Sequence, residues 1–434
     1  MEFKEIAPDG AWTWFNDERA CFHGDYLYAG YVRADGHVGL TRYHPPTGES
    51  ASMQLSTEAA RENDDHNNPS IVVLPDKRLL VTYSRHHKDE FFFWRVSHNL
   101  YPSRAEDWSP EMRRPTPSRT TYANTFRLSE EENRLYNFFR GINFNPAISI
   151  SEDSGQSWSE AIHFIRSGTG RVRPYTRYCS NHRNRIDLLY TDGHPRDEKN
   201  SIYHLYYQGG GFHESTGQII RPFTRLPIDH DAGRRGTVVY PYSEESSHPL
   251  SIPWGRAWVW DLHYDEKGNP VCVFQVLPYA AEGIGEMDIL AWPHSRILYY
   301  YGRWTGSKWV CHRIANAGRG LYEEENFYAG GIAIDPENPG TVYLSSNARH
   351  PFDDLEPNRE VPLNPEGRYE LWRGESADKG ETFQWEPITQ NSSADNLRPI
   401  VPERHGCKRH LLWFQGRYTR YQDFDTRIMG IFDA

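Results

Sequence analysis

A chain of 434 residues with 59 acidic and 48 basic side chains carries a formal net charge of −11 and lacks the basic stripe that a nucleic-acid surface needs. Nothing in it reads as a transmembrane helix, and the start Met1-Glu2-Phe3-Lys4 has no apolar run of the signal-peptide type, so a cytoplasmic or a mature secreted or periplasmic form is expected. The five cysteines, Cys21, Cys179, Cys272, Cys311 and Cys407, are widely spaced, odd in number and free of any CxxC pair, which argues against a zinc ribbon and a disulfide framework alike.

Aromatic residues make up 14 % of the chain, long helix-period patterns are scarce, and short β-rich runs are punctuated by 34 Gly and 29 Pro, the pattern of an all-β fold. The first unit holds Ala11-Trp12-Thr13-Trp14-Phe15, an apolar run over 26–32, the turn Ala34-Asp35-Gly36 and a second run over 38–41. The second begins at Asp64-Asp65-His66-Asn67-Asn68-Pro69-Ser70, passes through two strands (71–74 and 79–83) joined by a Pro-Asp-Lys turn, and ends at Arg85-His86-His87. A hairpin brings its two ends together, so His66 and His86 are expected at one rim of one sheet.

The third unit starts at Tyr122-Ala123-Asn124 with paired strands over 125–139, and the fourth at Arg173-Pro174-Tyr175 with strands over 175–190. The fifth spans 257–261 and 270–274, the sixth 331–335 and 341–345, and the last closes with 410–414. Seven such units average about 60 residues each, which predicts a single seven-bladed β-propeller domain over 1–434. The final strands are expected to close the ring against the N-terminal unit, with 229–253 and 347–368 as rim loops. Ser151-Glu152-Asp153-Ser154-Gly155-Gln156-Ser157-Trp158 and Ser376-Ala377-Asp378-Lys379-Gly380-Glu381-Thr382-Phe383 place Ser, Asp, Gly and an aromatic at the same offsets. They resemble the Asp-box turns of sialidase-type propellers, in which Asp accepts turn N–H groups and Gly supplies a positive φ.

A propeller delivers the ends of its inner strands to one face, so a site must be collected from several blades. The unit ends offer His66, Asn67, Arg85, His86 and His87, then Tyr122, Asn124 and Arg140, then Arg171, Arg173, Tyr175, His194 and Arg196. Imidazole, phenol and guanidinium on one face suit a carboxylate-bearing sugar and β-elimination from it. Removing the proton next to a uronate carboxylate requires that carboxylate to be neutralised, a base of matched pKa, and an acid for the departing oxygen at C4. No cofactor is required in principle. From the residues alone, Tyr122 and Arg140 read equally as a packed Tyr with an Arg stacked on it, and each His as a loop cap or the partner of a neighbouring Asp.

The segments 65–69, 83–86, 122–124, 139–141, 173–175, 191–196 and 330–335 together resemble the BNR-repeat seven-bladed propellers that include ulvan lyases and rhamnosyl-glucuronate lyases. The resemblance spans nearly the whole chain and implies a monomeric lyase acting on an anionic polysaccharide of uronate and rhamnose. It places the family's two histidines on His66 and His86, with His87 leaving the second open by one position, the catalytic Tyr on Tyr122 and the carboxylate-neutralising Arg on Arg140. Asn67, His87, Asn124, Arg173, Tyr175, His194 and Arg196 are then the expected substrate-binding residues. The zinc that several ulvan lyases build shortly after the neutralising Arg is not expected, because Gly141-Ile142-Asn143-Phe144-Asn145-Pro146 contains neither Cys nor His. A structural Ca²⁺ in the central channel, as in some relatives, is the one metal the resemblance allows. Two other readings use the same scaffold. One is a rhamnosidase-type hydrolase, for which His23, His37 and His44 are candidates, and the other a non-catalytic glycan-binding propeller. A retaining sialidase does not assemble from the unit starts.

Overall fold

The computed structural model describes residues 2–58, 63–168, 172–245, 252–278, 297–322, 325, 327–353, 355, 362–406 and 408–433. Arg171 and Cys407, singled out in the sequence, lie outside them. Six four-stranded antiparallel sheets and one six-stranded sheet follow one another along the chain as seven blades. Their innermost strands are Ala20–His23, Ser70–Val73, Thr121–Leu128, Thr176–Ser180, Arg256–Tyr264, Ile332–Ile334 and Asp395–Ile400. The strands form where β-branched and aromatic residues run together, and they end at turns whose chemistry is local. In blade 2, for example, Lys77 takes φ 69° and Asp76 Oδ1 accepts the Arg78 N–H at 3.1 Å.

The two Ser-x-Asp-x-Gly segments make the same turn between the third and fourth strands of blades 3 and 6. Asp153 Oδ1 accepts the Ser157 N–H at 2.9 Å, and Ser151 Oγ accepts the Gly155 N–H at 2.9 Å. In blade 6 Asp378 accepts from Thr382 at 2.9 Å and Ser376 from Gly380 at 2.7 Å. Each glycine has φ above 80°, a region that L side chains rarely adopt, and Trp158 is buried beneath its turn.

Ring closure follows the expectation. The last blade consists of Asp395–Ile400, His410–Arg420 and Asp423–Phe432, and its outer strand is the N-terminal Lys4–Ala7, with Lys4 opposite Gly430. Two expectations need correction. The segment 229–253 is not wholly a loop: Thr237–Tyr240, a Thr-Val-Val-Tyr run of strong strand formers, adds to the third strand of blade 4. The opening run 11–15 belongs to no blade sheet beyond a single bridge between Ala11 and Val32; it crosses the central channel as a plug. Trp12, Trp14 and Phe15 are at most 2 % exposed; Trp14 stacks on Trp260 at 4.1 Å and donates its Nε1–H to the Val259 carbonyl at 2.9 Å. A long aromatic stretch finds in the channel the apolar surroundings that an outer blade edge would deny it.

Candidate active site

Within each blade, the segment before the inner strand and the loop between the second and third strands open on the same face. The stretch 64–67 lies there as a single 3-10 turn, Asp65–Asn67, entered through Asp64, whose Oδ1 accepts the His66 backbone N–H at 3.1 Å. The turn is locked from two sides. Asp65 donates its N–H to the Tyr421 carbonyl at 3.0 Å, and its carboxylate meets the Arg398 guanidinium and the Tyr418 hydroxyl. Asn16 of the plug donates its side-chain amide to the His66 and Asn68 carbonyls at 3.0 and 2.7 Å.

Held this way, His66 stacks on His86 with ring centroids 4.1 Å apart. One carboxylate serves both rings: His66 Nδ1 lies 2.8 Å from Asp64 Oδ1, and His86 Nδ1 lies 2.9 Å from Asp64 Oδ2. Asn67 Oδ1 accepts the His86 backbone N–H at 2.6 Å, which fixes the second histidine to the first one's turn. His87 points elsewhere. Its backbone takes φ 53° and donates to the Thr120 carbonyl at 3.0 Å, and its ring stacks on Phe144 at the rim. The structure thus places His86 beside His66 and His87 outside the pair.

The two imidazoles titrate in opposite directions. Burial and the neighbouring His66 push His86 down to about 4. Against its own burial, the carboxylates of Asp64 and Asp65 raise His66 to about 9. The shifts favour the imidazolium on His66 and the neutral ring on His86, and both Nε2 atoms lie on the side of the rings away from Asp64.

Tyr122 sits 5.7 Å from His66, ring to ring, at a bulge in its inner strand. Its φ of 69° is strained for a tyrosine and is held by Ser84 Oγ donating to the Tyr122 carbonyl at 2.7 Å and by Asn16 Oδ1 accepting the Ala123 N–H at 3.1 Å. The phenol is buried, has no hydrogen-bond partner for Oη among the described residues, and is pushed well above its ordinary value by that burial. Arg140 lies over the Tyr122 ring at 4.9 Å and the Tyr175 ring at 5.3 Å. It is 5 % exposed, and among the described residues its Nη1 has no hydrogen-bond partner and the guanidinium pairs with no carboxylate.

The arc continues through Tyr175 to His194, 5.4 Å away. His194 Nδ1 accepts the Arg196 N–H at 3.0 Å, and burial followed by Arg196 and Arg173 holds its pKa well below the usual imidazole range. Arg173 reaches Asp197 at 3.3 Å, and Arg196 pairs with Asp197 and Glu325, so both of these cations are compensated. Asn67 and Asn124 each make a scaffold contact, Asn67 through its bond to the His86 backbone. Asn124 Nδ2 donates to the Phe15 carbonyl at 2.9 Å, gripping the plug.

Three participants carry little sequence signal. Asp64 reads as the N-cap of a short turn; Tyr421, edge-on to His66 at 4.9 Å, comes from the last blade; Glu325 comes from the segment between blades 5 and 6. Of the hydrolase candidates, His23 and His44 lie at one end of blade 1, linked through the rings of Tyr101 and Tyr26, and His37 lies at the other end. His37 and His44 sit at opposite ends of the strand Val38–His44, bonded to Ser56 and Thr47, and His23 packs on Tyr101.

A channel Ca²⁺ would compete with guanidiniums for the carboxylates described on the axis. Asp17 and Asp261 both pair with Arg177, and Asp65 pairs with Arg398, so each carboxylate already faces a guanidinium. Among the described residues two clusters bring His and carboxylate together. In Asp64/His66/His86 the two Nδ1 atoms are in direct hydrogen-bond contact with the carboxylate oxygens. On the opposite face, His182 Nε2 lies 3.0 Å from Glu18 and 2.9 Å from Glu403, with Arg404 at 3.2 Å from Glu18. Two anions and two cations cancel there, a knot joining the plug to blades 4 and 7.

Comparison with solved structures shows the same fold at low identity. An ulvan lyase of polysaccharide lyase family PL25, bound to -[GlcA(1-4)Rha3S]-, superposes with TM-score 0.69 at 13 % identity, covering 98 % of this chain and 94 % of that one. The polysaccharide lyase Uly1 gives 0.54 at 12 % identity over 99 % and 98 %, and the lectin BP39L from Burkholderia pseudomallei gives 0.53 at 11 % over 93 % and 94 %. Comparison with curated protein sequences finds no match. The sequence model described as BNR repeat-containing family member matches residues 26–317, two thirds of the chain, and the chain belongs to that family.

Proposed function

We propose that this propeller is a polysaccharide lyase that cleaves a rhamnosyl-(1→4)-uronate linkage by β-elimination. The observation that carries the reading is Arg140, a buried guanidinium that pairs with no carboxylate among the described residues and lies over the rings of Tyr122 and Tyr175, close to His86. A buried uncompensated charge is costly, and an anionic ligand offsets that cost. The substrate carboxylate lies against Arg140 and the His66 imidazolium, which together take up the charge that grows on it as the C5 proton leaves. His86 Nε2 accepts that proton, and the C5–H electron pair becomes the C4=C5 double bond. The C4–O bond breaks with its electrons, and Tyr122 gives its phenolic proton to the departing rhamnosyl oxygen. The resulting imidazolium and phenolate exchange the proton through solvent, so nothing is consumed. The ulvan lyase neighbour, with its glucuronate–rhamnose ligand, supports this substrate class, and no cofactor is needed for the step.

The test is incubation with ulvan and with gum arabic, reading absorbance at about 235 nm, where an unsaturated uronate absorbs; His86→Ala is expected to lose the signal by at least about a hundredfold. Free rhamnose without the ultraviolet change would replace this reading with hydrolysis. Saturable binding without products would replace it with a lectin-like module.

A further inference from the structure

We infer that Asp64 is a positioning residue for this reaction: its single carboxylate fixes the tautomers of both histidines, making His86 a base at Nε2 and His66 its cationic neighbour. The inference rests on the lyase reading for its kinetic consequence, and on geometry alone for the tautomers.

An ionised carboxylate only accepts hydrogen bonds. Because Asp64 Oδ1 faces His66 Nδ1 at 2.8 Å and Oδ2 faces His86 Nδ1 at 2.9 Å, both Nδ1 atoms must carry protons. A neutral ring protonated at Nδ1 has its lone pair at Nε2, the nitrogen turned away from Asp64. The proton that distinguishes the two rings is then placed by their surroundings. His66 Nδ1 has a second carboxylate, Asp65 Oδ1, at 3.0 Å, whereas His86 meets the cations of His66 and Arg140. The other groups packed on the pair are Tyr421, edge-on to both rings, and the protonated Tyr122 beside His66; neither supplies a counter-charge. His66 therefore keeps the extra proton and His86 stays neutral, with titrations at about 9 and about 4. A carboxylate serving only as a helix cap would need one oxygen for the His66 N–H and no contact with His86.

The decisive variant is Asp64→Asn. The Oδ1 position receives two donors, the His66 Nδ1–H and the His66 backbone N–H at 3.1 Å, so the amide keeps its oxygen there and turns its NH₂ towards His86. A donor at that place forces His86 Nδ1 to become the acceptor, moving the His86 proton to Nε2. The base is lost while the ring stays in place. The experiment is nitrogen-15 NMR of the histidine-labelled full chain, with His66→Gln and His86→Gln used to assign the two rings, alongside lyase kinetics. In the wild type at neutral pH, His86 is expected protonated at Nδ1 and bare at Nε2. In Asp64→Asn the pattern reverses, and kcat falls by at least about a hundredfold with KM changed less than about threefold.

A wild-type His86 protonated at Nε2 overturns the inference without recourse to any variant, so a poorly folding Asp64→Asn does not protect it. Reversed tautomers with unchanged kcat overturn the catalytic half. If the wild type releases no unsaturated product at all, the lyase reading fails alone, and the wild-type tautomers still decide the assignment of Asp64.

Discussion

Arg140→Met removes the guanidinium while keeping an unbranched side chain of similar length between Tyr122 and Tyr175, so it separates charge from packing. Two unit charges about 4 Å apart at an effective dielectric of about 20 attract by roughly 4 kcal/mol, which converts to about a thousandfold in rate if the contact strengthens as charge builds on the substrate carboxylate. Stability should move the other way. Arg140 is 5 % exposed and faces aromatic rings rather than an anion, so its removal relieves a desolvation cost of the kind that makes hydrophobic replacement of buried charges neutral or stabilising. The loss of two cation–π contacts, about 1 kcal/mol each, limits that gain. The measurement is the initial rate of ultraviolet product formation together with thermal unfolding of the same preparations. We expect kcat/KM to fall about a thousandfold while Tm stays within about 2 °C of the wild type or rises. A rate within tenfold of the wild type would refute the assignment of Arg140 to the carboxylate, and a rate loss accompanied by a large fall in Tm would mean that the guanidinium is a structural strut.

Tyr122→Phe deletes a buried hydroxyl that has no partner among the described residues, so chemical denaturation should find it no less stable than the wild type, while kcat drops by about 10² to 10⁴ for loss of the acid; retention of activity would hand that role to another group. The histidine pair should also shape stability against pH. His86, held at about 4, takes up no proton when folded across the window from 6.5 down to 4 while the unfolded chain does, so stability falls with pH there. His66, held at about 9, contributes fully below 6.5 and loses its contribution as pH rises through about 9. His86→Gln should flatten the acidic limb and His66→Gln the basic one in urea titrations across pH, and unchanged profiles would show that the pair does not titrate as described. Trp14→Ala, emptying the centre of the plug, should lower stability by about 3 to 5 kcal/mol in denaturant unfolding; a loss under about 1 kcal/mol would show that the channel collapses around the cavity.

How much of this was legible beforehand differs from residue to residue. The His66/His86 pairing followed from hairpin geometry, since the ends of two strands joined by a short turn must meet. The grouping of Tyr122, Arg140 and Tyr175 followed once the units were recognised as blades, because equivalent ends of successive blades converge on one mouth. Asn67 and Asn124 read as ligand-binding amides, and each also has a scaffold contact that the sequence did not reveal, one holding the His86 backbone and one the plug. A side chain's donor or acceptor partner is set by what folds against it, which a one-dimensional reading does not contain.

Strand periodicity, turn residues and the spacing of units are local properties, so the amino-acid sequence by itself determined an all-β ring of seven blades, its closure by the terminal strands, and the face on which the polar groups collect. Which side chains meet across the channel was decided only by the tertiary structure. The run 11–15 had the composition of a strand, yet the ring offered it an apolar axis and made it a plug. Asp64, Asp65 and Arg398 were unremarkable acids and a base until closure set Arg398 against Asp65 and left Asp64 to bridge two imidazoles. The physical reason is that burial and partner charges, not residue identity, determine where a proton resides, and both come into being only when the ring closes.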